Sequence, residues 1–213
     1  VPLTLLFLHG WGFDSGIWGD VAERLGMFSH AFAERGYFGP PADLSVEGPV
    51  VAVAHSFGTM RALADLPEQC LAIVAINGFD RFAADDTFPG VPARVVDRMR
   101  HRFADDPART LADFRSRCGA EGAASDIAGT ALAKDLDALA KDDRGREASQ
   151  FAGPILSLQG DADPIMPPAM RDAAFAGARE VERLTVAGGG HLLPLTHPDH
   201  CAGMVRSIVD RVK

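Results

Sequence analysis

Short apolar runs alternate with helix-compatible stretches along most of this chain, and that rhythm most constrains its fold. Runs at about 3–8, 30–34, 49–54, 71–76, 154–159 and 181–187 have the length and turn-rich flanks of strands. Residues 17–26, 57–66, 167–176 and 198–212 carry helical spacing. A strand apolar on both faces must be covered on both, so the alternation implies parallel strands joined by right-handed helical crossovers. The expected fold class is therefore α/β, a mostly parallel sheet with helices on both faces. The 213 residues suit one domain.

Residues 80–150 depart from the rhythm. They hold helix-like segments at about 91–103, 107–117 and 125–141, separated by Asp106-Pro107, a Cys-Gly pair and a Gly-Ala pair, with no strand. The organisation expected is a core from 1–79 and 151–213 and a helical lid, 80–150, over the carboxyl edge of the sheet, where open α/β sheets bind ligands.

Charge and composition exclude several function classes. A formal charge of −8 and a pI near 5.3 argue against nucleic acid as a partner. The run Leu3–Leu8 is too short to span a bilayer and has no basic residue before it. It reads as a buried strand, neither signal peptide nor membrane anchor, and no membrane partner is expected. Cys70, Cys118 and Cys201 are odd in number and widely spaced, without disulfide or metal-ligand spacing, so a reducing cytoplasm is the expected compartment. No oligomeric state is assigned.

Four motifs fall after four different strands. Ala54-His55-Ser56-Phe57-Gly58 follows the run Val50–Val53 and leads into Thr59–Ala64, the strand, small-x-Ser-x-Gly, helix order of a nucleophile elbow. On its own it could equally be a serine buried in a tight turn. His9-Gly10-Trp11-Gly12 follows the first strand. There the N–H of Trp11, with that of Phe57, would form a two-donor oxyanion hole, and His9 is assigned to loop structure. Gly160-Asp161-Ala162-Asp163-Pro164 offers the carboxylate that holds a histidine tautomer. Asp163 is preferred, Asp161 being the turn alternative and Asp80 a third candidate. Gly188-Gly189-Gly190-His191 supplies the imidazole on a loop with glycine freedom. His197 and His200 read as surface or capping residues, and His55 is expected to point to the far side of the elbow. The order Ser, Asp, His on successive strand ends points to acyl transfer through a serine nucleophile.

On these residues the chain resembles the α/β-hydrolase superfamily from Leu3 to the C-terminus. Within it, Leu8-His9-Gly10-Trp11-Gly12 with Ile17-Trp18, and the stretch Gly190–Pro198, are similar to the pimeloyl-[acyl-carrier protein] methyl ester carboxylesterases of biotin synthesis. The resemblance implies Ser56 as nucleophile, His191 as base, Asp163 as its orienting acid, and Trp11 and Phe57 as oxyanion donors. It implies hydrolysis of a carboxylic ester with no metal or organic cofactor. The chain departs from the pattern at Ala54, where glycine is usual, and at Glu34–Gly39, which lacks the superfamily's Asp-x-x-Gly-x-Gly-x-Ser run. Its lid is also short.

Residues 91–117 carry seven arginines against four aspartates, a basic segment on an acidic chain. Arg94, Arg98 and Arg102 are candidates for binding an anionic partner such as an acyl carrier protein. Local i,i+3 and i,i+4 contacts of Asp97 with Arg94 and Arg98 are the alternative. Val91, Val95, Met99 and Phe103 are expected to form this helix's apolar face. Rival functions are a short-chain carboxylesterase, thioesterase or lactonase of the same fold, and a non-catalytic ligand receptor on a hydrolase scaffold.

Overall fold

A computed structural model describes residues 2–42, 46–121 and 126–213. Six strands form one wholly parallel sheet: β1 (Thr4–Leu8), β2 (Ser29–Ala33), β3 (Val50–His55), β4 (Cys70–Ile76), β5 (Ile155–Gly160) and β6 (Val181–Val186), in the order β2-β1-β3-β4-β5-β6. β3 and β5 are buried at every position, whereas the edge strands β2 and β6 are partly exposed. The strands that read as solid apolar runs are thus the central ones.

From β1 the chain first moves outward to β2, then returns past β1 to β3 and on to β4. Right-handed crossovers therefore put α1 (Gly19–Arg24) and α2 (Phe57–Ala64) on opposite faces of the sheet. The long α9 (Pro198–Val212) packs beside α1, and α6 (Gly145–Gln150) packs beside α2. The reversal leaves a switch point at the carboxyl ends of the adjacent strands β1 and β3, the place where such sheets receive ligands. His9–Gly12 and Ser56 both emerge there.

Between β4 and β5 lie α3 (Ala93–Asp105), α4 (Pro107–Arg117) and α5 (Gly129–Lys141), with α3 packed on both others. Asp106 caps α4 through the Arg109 N–H, and Pro107 occupies its first turn, which explains the break read at Asp106-Pro107. The segment leaves and re-enters the core at one point: Arg81 and Asp143 form an antiparallel bridge, and the Arg144 N–H donates to the Asp80 carbonyl at 2.8 Å. Residue 125, the expected start of the third lid helix, lies outside the described residues.

Several expectations need correction. The helix expected over 17–26 is a 3-10 turn, Ser15–Trp18, followed by the short α1, because the Asp14 carboxylate caps the Gly16 N–H and tightens the start. The helix expected over 167–176 is only α7 (Pro168–Ala173), ending before Phe175 at φ 59°. α6 and α8 (Leu193–Thr196) were unforeseen, each being too short to show a period. In α3 the inner face is Val96, Met99 and Phe103, while Val95 is 37% exposed. Asp97 pairs with Arg100 rather than with Arg94 or Arg98.

Candidate active site

Ser56 follows β3 at φ 52°, ψ −126°, the strained backbone of a sharp strand-to-helix turn. Close packing enforces that turn. A Cβ on Gly58 would lie 2.3 Å from the Leu8 carbonyl oxygen, and one on Gly10 would lie 2.9 Å from His55 Nδ1. The Ser56 N–H donates to the Ile76 carbonyl, fixing the turn to the end of β4.

The motifs that carry Asp163 and His191 converge on this serine. His191 Nδ1 lies 2.8 Å from Asp163 Oδ2, and His191 Nε2 lies 3.1 Å from Ser56 Oγ. With Nδ1–H donated to the carboxylate, Nε2 presents its lone pair to the hydroxyl, the orientation a general base requires. Asp163 Oδ1 accepts the N–H groups of Ile165 and Met166. Burial alone would raise the Asp163 pKa, but the facing imidazole and those two N–H groups hold it below the usual carboxylate range. All three side chains are buried. Asp161 instead accepts the Gly188 N–H at 2.7 Å, a turn role. Asp80 accepts the Phe175 N–H, away from the imidazole.

Trp11 and Phe57 flank the serine with main-chain N–H groups that have no acceptor among the described residues. Phe57 opens α2, so its N–H belongs to the positive end of that helix. Three helices of the 80–150 segment, α3, α4 and α5, grip the Trp11 side chain. Its indole N–H donates to the Leu132 carbonyl on α5 at 2.8 Å, and its ring packs edge-on against Phe103 on α3 and Phe114 on α4. Arg115 donates to the Gly12 carbonyl at 2.7 Å and lies over the Phe13 ring. His9 is a loop residue, as expected: Nδ1 bonds the Gly10 carbonyl, and Nε2 lies 3.2 Å from Glu34 Oε2 and 3.3 Å from the Arg35 main-chain nitrogen.

His55 does not point to the far side of the elbow. Its Nε2–H donates to the His191 carbonyl at 2.9 Å, and its ring lies 4.9 Å from the His191 ring. Burial, then the neighbouring His191, pushes its pKa down to about 3, so it is a neutral donor. Asn77 also donates to that carbonyl. The only sequence signal for either contact was their place beside a strand end.

An apolar cavity of about 230 Å³ lies between α3, α4 and the Asp163–Pro168 segment, walled by Val96, Met99, Phe114, Ile165 and Met166, with Arg117 and Asp163 its charged lining residues. A larger cavity of about 390 Å³, beside α2 and α5, has both basic (Arg35, Lys134, Arg144) and acidic (Asp65, Asp135, Asp142) lining residues and touches none of the Ser56, Asp163 and His191 side chains. Arg94, Arg98 and Arg102 share one exposed face of α3, and none makes an ion pair among the described residues. Among the described residues no helix is long and apolar enough to cross a membrane, and no three His, Cys, Asp or Glu are grouped to hold a metal ion.

A sequence profile of the alpha/beta hydrolase family matches residues 28–202, from β2 through the start of α9. The chain belongs to the alpha/beta hydrolase family. It is 26% identical to a pimeloyl-[acyl-carrier protein] methyl ester esterase from Xanthomonas campestris, over 97% of this chain and 94% of that protein. It is 25% identical to a biotin biosynthesis bifunctional protein, BioHC, from Cellvibrio japonicus, of which it spans about half (47%) while 97% of this chain is covered. In structure this alpha/beta hydrolase superposes on an esterase from Exiguobacterium antarcticum with a TM-score of 0.83 at 16% identity, covering 99% and 93% of the two chains. An enol-lactonase from Burkholderia xenovorans gives 0.78 at 13% identity, with 99% and 92% covered. The fold is shared; substrates differ across it.

Proposed function

We propose that this alpha/beta hydrolase cleaves carboxylic esters, with Ser56 as nucleophile, His191 as general base and acid, and Asp163 as the carboxylate that orients His191. The observation that carries the reading is the hydrogen-bonded series Ser56 Oγ, His191 Nε2, His191 Nδ1, Asp163 Oδ2, at 3.1 Å and 2.8 Å. His191 takes the hydroxyl proton as Ser56 Oγ attacks the ester carbonyl. The tetrahedral oxyanion lies against the Trp11 and Phe57 N–H groups, and the alcohol leaves with the proton returned by His191. Water then repeats the sequence on the acyl-enzyme. The cavity walled by Val96, Met99 and Phe114 suits an unbranched apolar acyl chain.

The finer reading is the methyl ester of pimeloyl-acyl carrier protein as substrate. It is supported by the likeness to relatives bearing that activity in their names over nearly the whole of this chain, and by the exposed Arg94, Arg98 and Arg102 on a segment that covers the site. Mass spectrometry of pimeloyl-carrier-protein methyl ester and its free-ester analogues, mixed with pure protein, tests both levels. Loss of the methyl group from the carrier-bound ester, with much slower reaction of the free analogues, is expected. Turnover of the free esters alone would leave a general carboxylesterase, and no turnover of any ester would end the hydrolase reading.

A further inference from the structure

β4 lies between the strand that presents Ser56 and the strand that leads to Asp163, and Asn77 is the first residue beyond it. Asn77 is fully buried, at a left-handed φ of 44° that asparagine tolerates better than most residues. Its main-chain N–H continues the ladder to the Leu158 carbonyl at 2.8 Å. Its side chain makes three further bonds, each of 2.8 Å. Oδ1 accepts the Gly160 N–H at the end of β5, and Nδ2 donates one hydrogen to the Gly190 carbonyl and the other to the His191 carbonyl. An N–H can only donate and carbonyls can only accept, so these neighbours fix the orientation of the amide.

We infer that Asn77 is a positioning residue, setting the His191 imidazole against Ser56 and Asp163 through the main chain of the histidine loop. The inference rests on the ester-hydrolase reading above. His191 follows three glycines, whose backbone freedom would let the imidazole wander. A planar amide bonded to that loop on one side and to the root of the Asp163 loop on the other removes the freedom where it matters. It does so from the end of β4, whose Ile76 carbonyl holds the Ser56 N–H, so all three reacting groups are referenced to one strand end, two of them through the Asn77 side chain. His55 shares the His191 carbonyl but does not reach Gly160.

The test compares Asn77→Gly and Asn77→Asp, both compatible with the left-handed backbone, with Val74→Ala, which thins the same strand without touching the loops. Each is assayed on p-nitrophenyl butyrate well below its own melting midpoint, and the downfield proton resonance of the His191–Asp163 hydrogen bond is recorded. Displacement of the imidazole predicts kcat lower by about 10- to 100-fold in both Asn77 variants, KM little changed, and the resonance shifted or lost. Val74→Ala should keep both kcat and resonance. A folded Asn77 variant with wild-type kcat and an unmoved resonance overturns the inference, as does an equal loss in Val74→Ala. Should Asn77→Gly not fold, the isosteric Asn77→Asp decides by the same criteria. Failure of both to fold, while Val74→Ala folds, would overturn it by assigning Asn77 to stability alone. Absence of ester turnover by the wild type would defeat the hydrolase reading, whereas the resonance comparison would still judge the clamp.

Discussion

Ser56 is held in a conformation that costs free energy, and the residues around it show how the cost is met. Gly58 admits the Leu8 carbonyl oxygen, and Gly10 the His55 ring, to within distances no Cβ could share. Gly58→Ala should therefore destabilise the protein by about 1–3 kcal/mol, read from urea unfolding. The two carboxylates of the Asp163 loop separate by partner. Asp163 faces an imidazole, whereas Asp161 faces only the Gly188 N–H. Asp163→Asn should lower kcat by about 10³–10⁴-fold, because the unoriented imidazole can present the wrong nitrogen. Asp161→Asn should stay within a few-fold of wild type in the same assay. The opposite ranking would reassign the acid.

Individual elements carry a second layer of control. α5 is tied to the chain after β2 by Asp135, which accepts from the Arg35 guanidinium through both oxygens and from the Tyr37 hydroxyl at 2.6 Å. Asp135 is almost wholly buried and Arg35 partly so, and removing Asp135 takes the acceptor from the Arg35 guanidinium and from the buried Tyr37 hydroxyl. Asp135→Ala should cost about 1–3 kcal/mol of stability, measured by urea unfolding. The same helix holds the Trp11 indole through the Leu132 carbonyl, so kcat should fall with it. On α3, reversing Arg94, Arg98 and Arg102 to glutamate should slow turnover of a carrier-protein-bound ester while sparing a small soluble one. Equal effects on both substrates would make the stripe ordinary solvated surface.

For the molecule as a whole, the buried His55 sets a pH dependence with a defined sign. In the folded state it stays unprotonated down to about pH 3, whereas the unfolded chain protonates it near 6.5. The unfolded state therefore binds more protons across that window, and stability falls as pH drops through it. The full shift corresponds to roughly 4–5 kcal/mol. His55→Gln should flatten the difference in unfolding free energy between pH 7 and pH 4.

The central strands, the sharp turn at Ser56 and the motifs whose side chains converge there were legible in the sequence, because continuous apolar runs and glycine-flanked motifs are local signals. What escaped it depends on chain segments far apart in sequence. The bonds from His55 and Asn77 to the His191 carbonyl exist only because strand ends converge, and Arg115 reaches Gly12 only because α4 lies over the β1 loop. Helices of one turn or little more, such as α6 and α8, leave no periodic trace.

The most direct test is covalent: intact protein treated with a fluorophosphonate, then digested and mapped by mass spectrometry. A single adduct on Ser56, lost in His191→Ala, is the expected result. No adduct, or an adduct on another residue with Ser56 unmodified, would contradict it.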